Sequence, residues 1–172
     1  MKLLVTLDGS SESEAILPNA VALAQAAKAE VTLLTVASPE EGEYPQRREH
    51  ENLRSVGASA DASLSAIEEP PTTEPFESHG QALERVASTA EDYLAPFATR
   101  LKAEGLTVEQ KVILSEHIAQ SITEYARSEG FDLIAMSTHG RSGLSSLIQG
   151  SVASAVVRSG VAPILLVRPL VT

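Results

Sequence analysis

The sequence predicts a single α/β domain built on a doubly wound parallel sheet, and three observations carry the prediction. Short apolar runs of strand length recur along the 172 residues. Stretches with helical spacing of apolar residues separate most of them. Glycine or hydroxyl residues mark the junctions. Strands that read as continuous apolar runs are buried on both faces, which is the pattern of a parallel sheet covered by helices. Right-handed crossovers between such strands then give a doubly wound sheet. The expected unit is one domain over 1–172, with five strands and a long inserted loop at about 38–80.

The first strand spans 2–7 and ends at the turn Asp8-Gly9-Ser10-Ser11. Ser11 and Glu14 have capping-box spacing, so a helix is expected to start near Glu12. Ile16, Ala20, Leu23, Ala24 and Ala27 fall on one face of it, and Pro18 removes a backbone donor early in its course. Residues 30–37 form a second buried strand. The segment from Ser38 to Gly80 holds Pro39, Pro45, Pro70, Pro71 and Pro75 and has no clear period, which marks it as an excursion from the core. A short helix at 60–67 is the only element expected within it.

Helical spacing resumes at Gln81 and persists through Leu83, Val86, Ala87, Ala90, Tyr93, Leu94, Phe97 and Leu101. Pro96 is expected to kink this helix and Gly105 to cap it. A strand at 107–114 follows. Ser115 is expected to cap a helix whose face carries Ile118, Ile122, Tyr125 and Ala126, ending at Gly130. The remaining elements are a strand at 132–137, a helix at 151–159 and a strand at 163–167.

Composition excludes several function classes. A net charge of −10 disfavours a nucleic-acid partner, because phosphate backbones are bound by basic surfaces. Aromatic residues at 3 % leave little to stack bases on. The absence of cysteine removes disulfide and thiolate chemistry. No apolar run approaches the length of a membrane span, and the amino terminus lacks a signal-peptide layout. A cytoplasmic protein with no membrane and no nucleic-acid partner is the expectation.

The chemistry-bearing segment is Met136-Ser137-Thr138-His139-Gly140-Arg141-Ser142-Gly143, continuing to Gln149-Gly150-Ser151-Val152. It joins a strand to a helix and is rich in glycine and hydroxyl residues. Such a connection offers backbone N–H groups at a helix N-terminus, where the dipole favours anions and phosphate above all. A P-loop is ruled out because no Gly-Lys-Ser/Thr triplet occurs, and no Gly-x-Gly-x-x-Gly is present. If the first and fourth strands are neighbours, their polar exits would meet at the switch point of the sheet, where ligands bind in such folds.

Gly140, nine residues, then Gly150-Ser151 resembles the C-terminal signature of the universal stress protein family, whose ATP-binding members carry Gly-x-x-Gly, nine residues, Gly-Ser/Thr. Here Ser137 stands where that motif has its first glycine. The start Leu4-Val5-Thr6-Leu7-Asp8-Gly9-Ser10, the strand ending Leu33-Leu34-Thr35-Val36 and the run Ala162-Pro163-Ile164-Leu165-Leu166-Val167 also resemble the family. The chain departs from it in the length of 38–80, and in Ser115-Glu116-His117 where the family often has Gly-Asp-Pro.

The resemblance implies a Rossmann-like sheet with strand order 3-2-1-4-5 and a homodimer paired through the last strand, Pro163 to Val167. It implies ATP as cofactor, with Mg²⁺ or Mn²⁺, and a role as a stress-response switch. Val36 would contact adenine through its backbone. Thr6, Leu7 and Asp8 would line the adenosine side, with Asp8 near the ribose or a nucleotide-bound metal. Met136 and Ser137 would flank the sugar and first phosphate, and Gly140, Arg141, Gly150, Ser151 and Val152 would hold phosphates. The length and position of the 38–80 segment add a further expectation, that occupancy biases the dimer or this segment toward an unidentified protein partner.

Each of these residues has a plainer reading. Asp8 caps the first helix region, Ser151 is an N-cap, and Arg141 is a solvated charge. His139 reads as a turn residue. His50, His79 and His117 lack i,i+4 ligand spacing, so no zinc site is expected. Ser10, Ser142 and Ser145 lie in no nucleophile elbow. No catalytic residue is assigned. The alternatives to an ATP-binding switch are a nucleotide-free interaction protein of the same fold and a slow ATPase using Asp8 or His139.

Overall fold

The computed structural model describes residues 1–39, 79–138 and 151–169. Its elements run β1 (Lys2–Thr6), α1 (Ser11–Glu14), α2 (Leu17–Ala27), β2 (Glu30–Ala37), α3 (His79–Ala103), β3 (Val108–Leu114), α4 (Ile118–Glu129), β4 (Leu133–Ser137), α5 (Ser151–Ser159) and β5 (Ile164–Val167). The five strands are parallel in the order β3-β2-β1-β4-β5, as the resemblance implied. The chain reverses its direction of winding between β1 and β4.

Period-two alternation divides the strands between two cores. Leu3, Val5, Val31, Leu33 and Ala135 face α2 and α3, where Ile16, Leu17, Ala20, Ala24, Leu94, Ala98 and Leu101 meet them. Leu4, Leu34, Val36, Ile134 and Met136 face α4 and α5, against Ile122, Ala126, Ala153 and Val156. Leu3, Leu4 and Leu33 are fully buried. Each fully buried aliphatic side chain of this size contributes about 1.5–3 kcal/mol, so both layers of helices are held chiefly by apolar burial.

Helix ends explain most departures from expectation. The first cap is Ser10, not Ser11: Ser10 is extended (φ −86°, ψ 149°) and its Oγ accepts the Ser13 N–H. Helix α1 stops after one turn, and Pro18 occupies the first turn of α2, where its missing donor costs little. The buried residues of α2 are Leu17, Ala20 and Ala24, while Ala27 is exposed. Helix α3 begins at His79, ahead of the expected start at Gln81, and runs with Pro96 inside it to Ala103. Gly105 (φ +85°) closes it: its N–H reaches the Lys102 carbonyl (3.0 Å), and the Leu106 N–H reaches that of Leu101 (3.2 Å). The residue capping α4 is His117. Ser115 Oγ accepts the His117 N–H from outside the helix (3.0 Å). Gly130 ends α4 in the left-handed region, as expected. The expected helix at 60–67 and the loop around it lie outside the described residues, apart from the ends of the 38–80 segment.

Candidate functional site

The carboxyl ends of β1, β2 and β4 open into one cavity of about 340 Å³. Its existence follows from how the second core ends. Helices α4 and α5 cover the sheet face carrying Leu4, Leu34 and Ile134, but beyond Ile122 and Ala153 the layers part and leave the cavity between them. Leu34, Val36, Met136, Ile118, Ile122, Val152 and Ala153 form apolar walls. Thr6, Asp8, Ser13, Ser137 and Ser151 supply the polar groups, with Leu7 completing the rim. A few convergent polar groups on an apolar lining, in a volume within the roughly 300–1,000 Å³ of ligand pockets, is the make-up of a small-molecule site.

The strand ends are fixed by the sheet itself. The Leu7 N–H donates to the Leu34 carbonyl (2.9 Å), extending the β1–β2 ladder beyond the last strand residue. The hydroxyl of Thr35, fully buried, donates to the Leu7 carbonyl (3.0 Å). Both backbone polar groups of Leu7 are therefore satisfied, and Asp8 leaves the sheet in a defined direction. At β4 the Ser137 hydroxyl donates to the Val167 carbonyl (3.2 Å), which also accepts the Thr138 N–H (2.9 Å). These two bonds tie the cavity rim to the end of β5.

Asp8 sits in a tight turn. Its Oδ1 accepts the Ser10 N–H (3.0 Å) and the Ser10 hydroxyl (2.6 Å), while its N–H donates to Ser13 Oγ (3.2 Å). The capping reading of Asp8 is thus met in a modified form: it holds the residue that caps α1. Asp8 is the one ionisable side chain among the described lining residues. No set of three or more His, Cys, Asp or Glu able to hold a metal occurs among the described residues.

Eight residues singled out from the sequence surround this cavity: Thr6, Leu7, Asp8, Val36, Met136, Ser137, Ser151 and Val152. Gly140, Arg141 and Gly150 lie outside the described residues, as do His139, Ser142 and Ser145. Ser151 is the first residue of α5, whose N-terminus opens beside the cavity. The structure adds Ser13, Leu34, Ile118, Ile122 and Ala153. Ile118 and Ile122 were visible as an i,i+4 pair on the apolar face of α4, but spacing alone assigned that face to the core. Ser13 gave no signal, being one hydroxyl in a Ser-rich turn.

A second cavity, of about 110 Å³, lies at the opposite end of the sheet, among Lys2, Glu30, Thr32, Glu109, Tyr125 and Glu129. Burial first, then the charges of Glu129 and Glu109, raise the Tyr125 phenol above its ordinary value.

Comparison with known proteins places this geometry in context. Residues 1–168 match the model of the Universal stress protein family. The chain is 29 % identical over 170 residues to Universal stress protein MJ0531 of Methanocaldococcus jannaschii, covering 97 % of this chain and 81 % of that one. Among solved structures, the hypothetical protein MJ0577 superimposes with a TM-score of 0.69 at 21 % identity, over 99 % and 97 % of the two chains. A universal stress protein in complex with cAMP gives a TM-score of 0.58 at 19 % identity, over 98 % and 96 %. One from Archaeoglobus fulgidus in complex with dAMP gives 0.54 at 17 %, over 96 % of each chain. These likenesses establish the fold.

Proposed function

Because the chain belongs to the universal stress protein family, we propose that the cavity above β1 and β4 takes an adenine nucleotide, ATP foremost, and that the protein acts as a nucleotide-responsive stress module. The observation that carries this reading is the convergence on one cavity of residues drawn from three strand ends and a helix N-terminus. The family's structural neighbours with cAMP and dAMP support the ligand class.

The chemistry of the lining suits such a ligand. Val36, Ile118, Ile122 and Met136 offer apolar surface to a purine ring. Asp8 offers an acceptor for sugar hydroxyls. The first turn of α5, with the Ser151 hydroxyl, offers N–H donors and a favourable dipole to phosphate. Gly140, Arg141 and Gly150 complete the phosphate side in this proposal, on sequence grounds. Mg²⁺ or Mn²⁺ would accompany ATP. Mg²⁺ in nucleotide sites takes only one or two protein carboxylates and otherwise phosphate oxygens and water. Asp8, the single carboxylate among the described lining residues, therefore fits a metal brought in by the nucleotide, and the metal would supply charge neutralisation of the phosphates.

The proposal extends to assembly and place. Strand β5 is an edge of the sheet with half-buried apolar residues Ile164, Leu165, Leu166 and Val167, suited to pairing with a second copy. A homodimer working in the cytoplasm is the corresponding proposal; no helix among the described residues is long and apolar enough to cross a membrane.

One observation favours a second reading, a nucleotide-free interaction protein. Ser137 places a side chain on the cavity rim where the ATP-binding motif has glycine, and that side chain is bonded to Val167. Thermal denaturation with and without ATP, ADP, AMP and cAMP, each with and without Mg²⁺, separates the two. The nucleotide reading expects at least one ligand to raise the midpoint, because a ligand bound to the native state alone stabilises it by mass action. No shift with any of them, together with no nucleotide in the purified protein by mass spectrometry, favours the second reading. Hydrolysis has only Asp8 as an acid–base group among the described lining residues. Phosphate release abolished by Asp8→Ala would establish it.

A further inference from the structure

We infer that Ser10 is a positioning residue for the nucleotide site, acting through Asp8; the inference rests on the nucleotide reading above. Asp8 is the single charged group among the described lining residues, yet it is exposed and belongs to a turn beyond the end of β1. An exposed carboxylate on such a turn ordinarily samples several rotamers. Here two groups of Ser10 restrict it. The Ser10 hydroxyl donates to Asp8 Oδ1 at 2.6 Å, a short charge-assisted bond, and the Ser10 N–H donates to the same oxygen at 3.0 Å.

The Ser10 hydroxyl is in turn oriented from below. Its Oγ accepts the Ser13 N–H (3.1 Å), so its own proton is directed to the carboxylate. Ser13 is 5 % exposed, and its Oγ bridges the turn by accepting the Asp8 N–H (3.2 Å) and donating to the Ser10 carbonyl (2.8 Å). The bonds form a closed circuit in which capping of α1 and orientation of Asp8 are one arrangement. Fixing the carboxylate before the ligand arrives removes an ordering cost from binding. Ser10 does not itself line the cavity, so it acts on the ligand only through Asp8.

The test is a double-mutant cycle on the full chain, read as calorimetric affinity for Mg-ATP. Wild type, Ser10→Ala, Asp8→Ala and the double variant are compared, with Ser10→Thr as the conservative control. Ser10→Ala is expected to weaken binding roughly tenfold, the size of one charge-assisted hydrogen bond. On the Asp8→Ala background the same change is expected to leave affinity within about twofold, because its effect runs through a carboxylate no longer present. Ser10→Thr keeps both the hydroxyl and the cap and is expected to restore binding. Losses that add in the double variant, Ser10→Ala binding as tightly as wild type, or Asp8→Ala without effect would each overturn the positioning role while leaving nucleotide binding intact. A wild-type protein that does not bind Mg-ATP would overturn the nucleotide reading and this inference with it.

Discussion

Gly105 and Tyr125 show how single residues can be tested without touching the cavity. At Gly105 the backbone is left-handed (φ +85°), and a Cβ built there meets nothing within 4 Å. Gly105→Ala therefore measures the conformational cost alone, expected to lower stability by about 1 kcal/mol in urea denaturation. Tyr125 makes a pH prediction. Its raised value means the folded chain keeps the phenolic proton longer than the unfolded chain. Its contribution is complete below about pH 10 and is lost as pH rises through the folded value. Tyr125→Phe is expected to flatten the loss of stability above pH 10, as measured by denaturation midpoints on an alkaline series. Residue-level legibility was uneven for a physical reason. Gly105 and Gly130 could be read because only one residue type tolerates their backbone cheaply. Ser10 and Ser11 could not be told apart, because either hydroxyl can cap and the backbone angles decide. Lys28 adopts φ 49° after α2, and no feature of its side chain announces that.

Among the elements, α4 walls the cavity with two residues of its apolar face, both of which also pack in the second core. Ile118 is partly exposed and lines the cavity, whereas Ile122 is buried. Ile118→Trp is expected to fill the cavity and weaken nucleotide binding at least about tenfold, with the unfolding midpoint shifted by less than about 3 °C. Unchanged affinity would mean that the ligand does not enter between α4 and β2. Strands β1, β2 and β4 were legible because burial on both faces leaves nearly unbroken apolar runs, and β2 begins and ends where expected. Helix α5 was legible for its small-residue start and apolar face. The break between α1 and α2 was not legible. It depends on where Pro18 falls relative to the helix start, and that start moved with the cap. The apolar face of α4 was recognised, but spacing cannot say where a helix stops covering a sheet and begins to border a cavity.

Across the whole molecule, the site is a consequence of topology. With order β3-β2-β1-β4-β5 the chain winds outward in opposite directions from β1 and β4, so the loops leaving these strands diverge and open a crevice at their carboxyl ends. Thr6 and Ser137 are far apart in sequence but line one cavity because β1 and β4 are neighbours, with Val5 beside Ala135. That adjacency was foreseen from the resemblance, since spacing along a chain does not order strands in a sheet. The central claim is that this crevice holds ATP, and calorimetric titration of the purified, nucleotide-free protein with Mg-ATP tests it most directly. The account predicts one saturable site per chain with a dissociation constant in the micromolar range, about −8 kcal/mol, lost on a bulky substitution at Gly150. No heat of binding across that range, with no nucleotide co-purified, would contradict it.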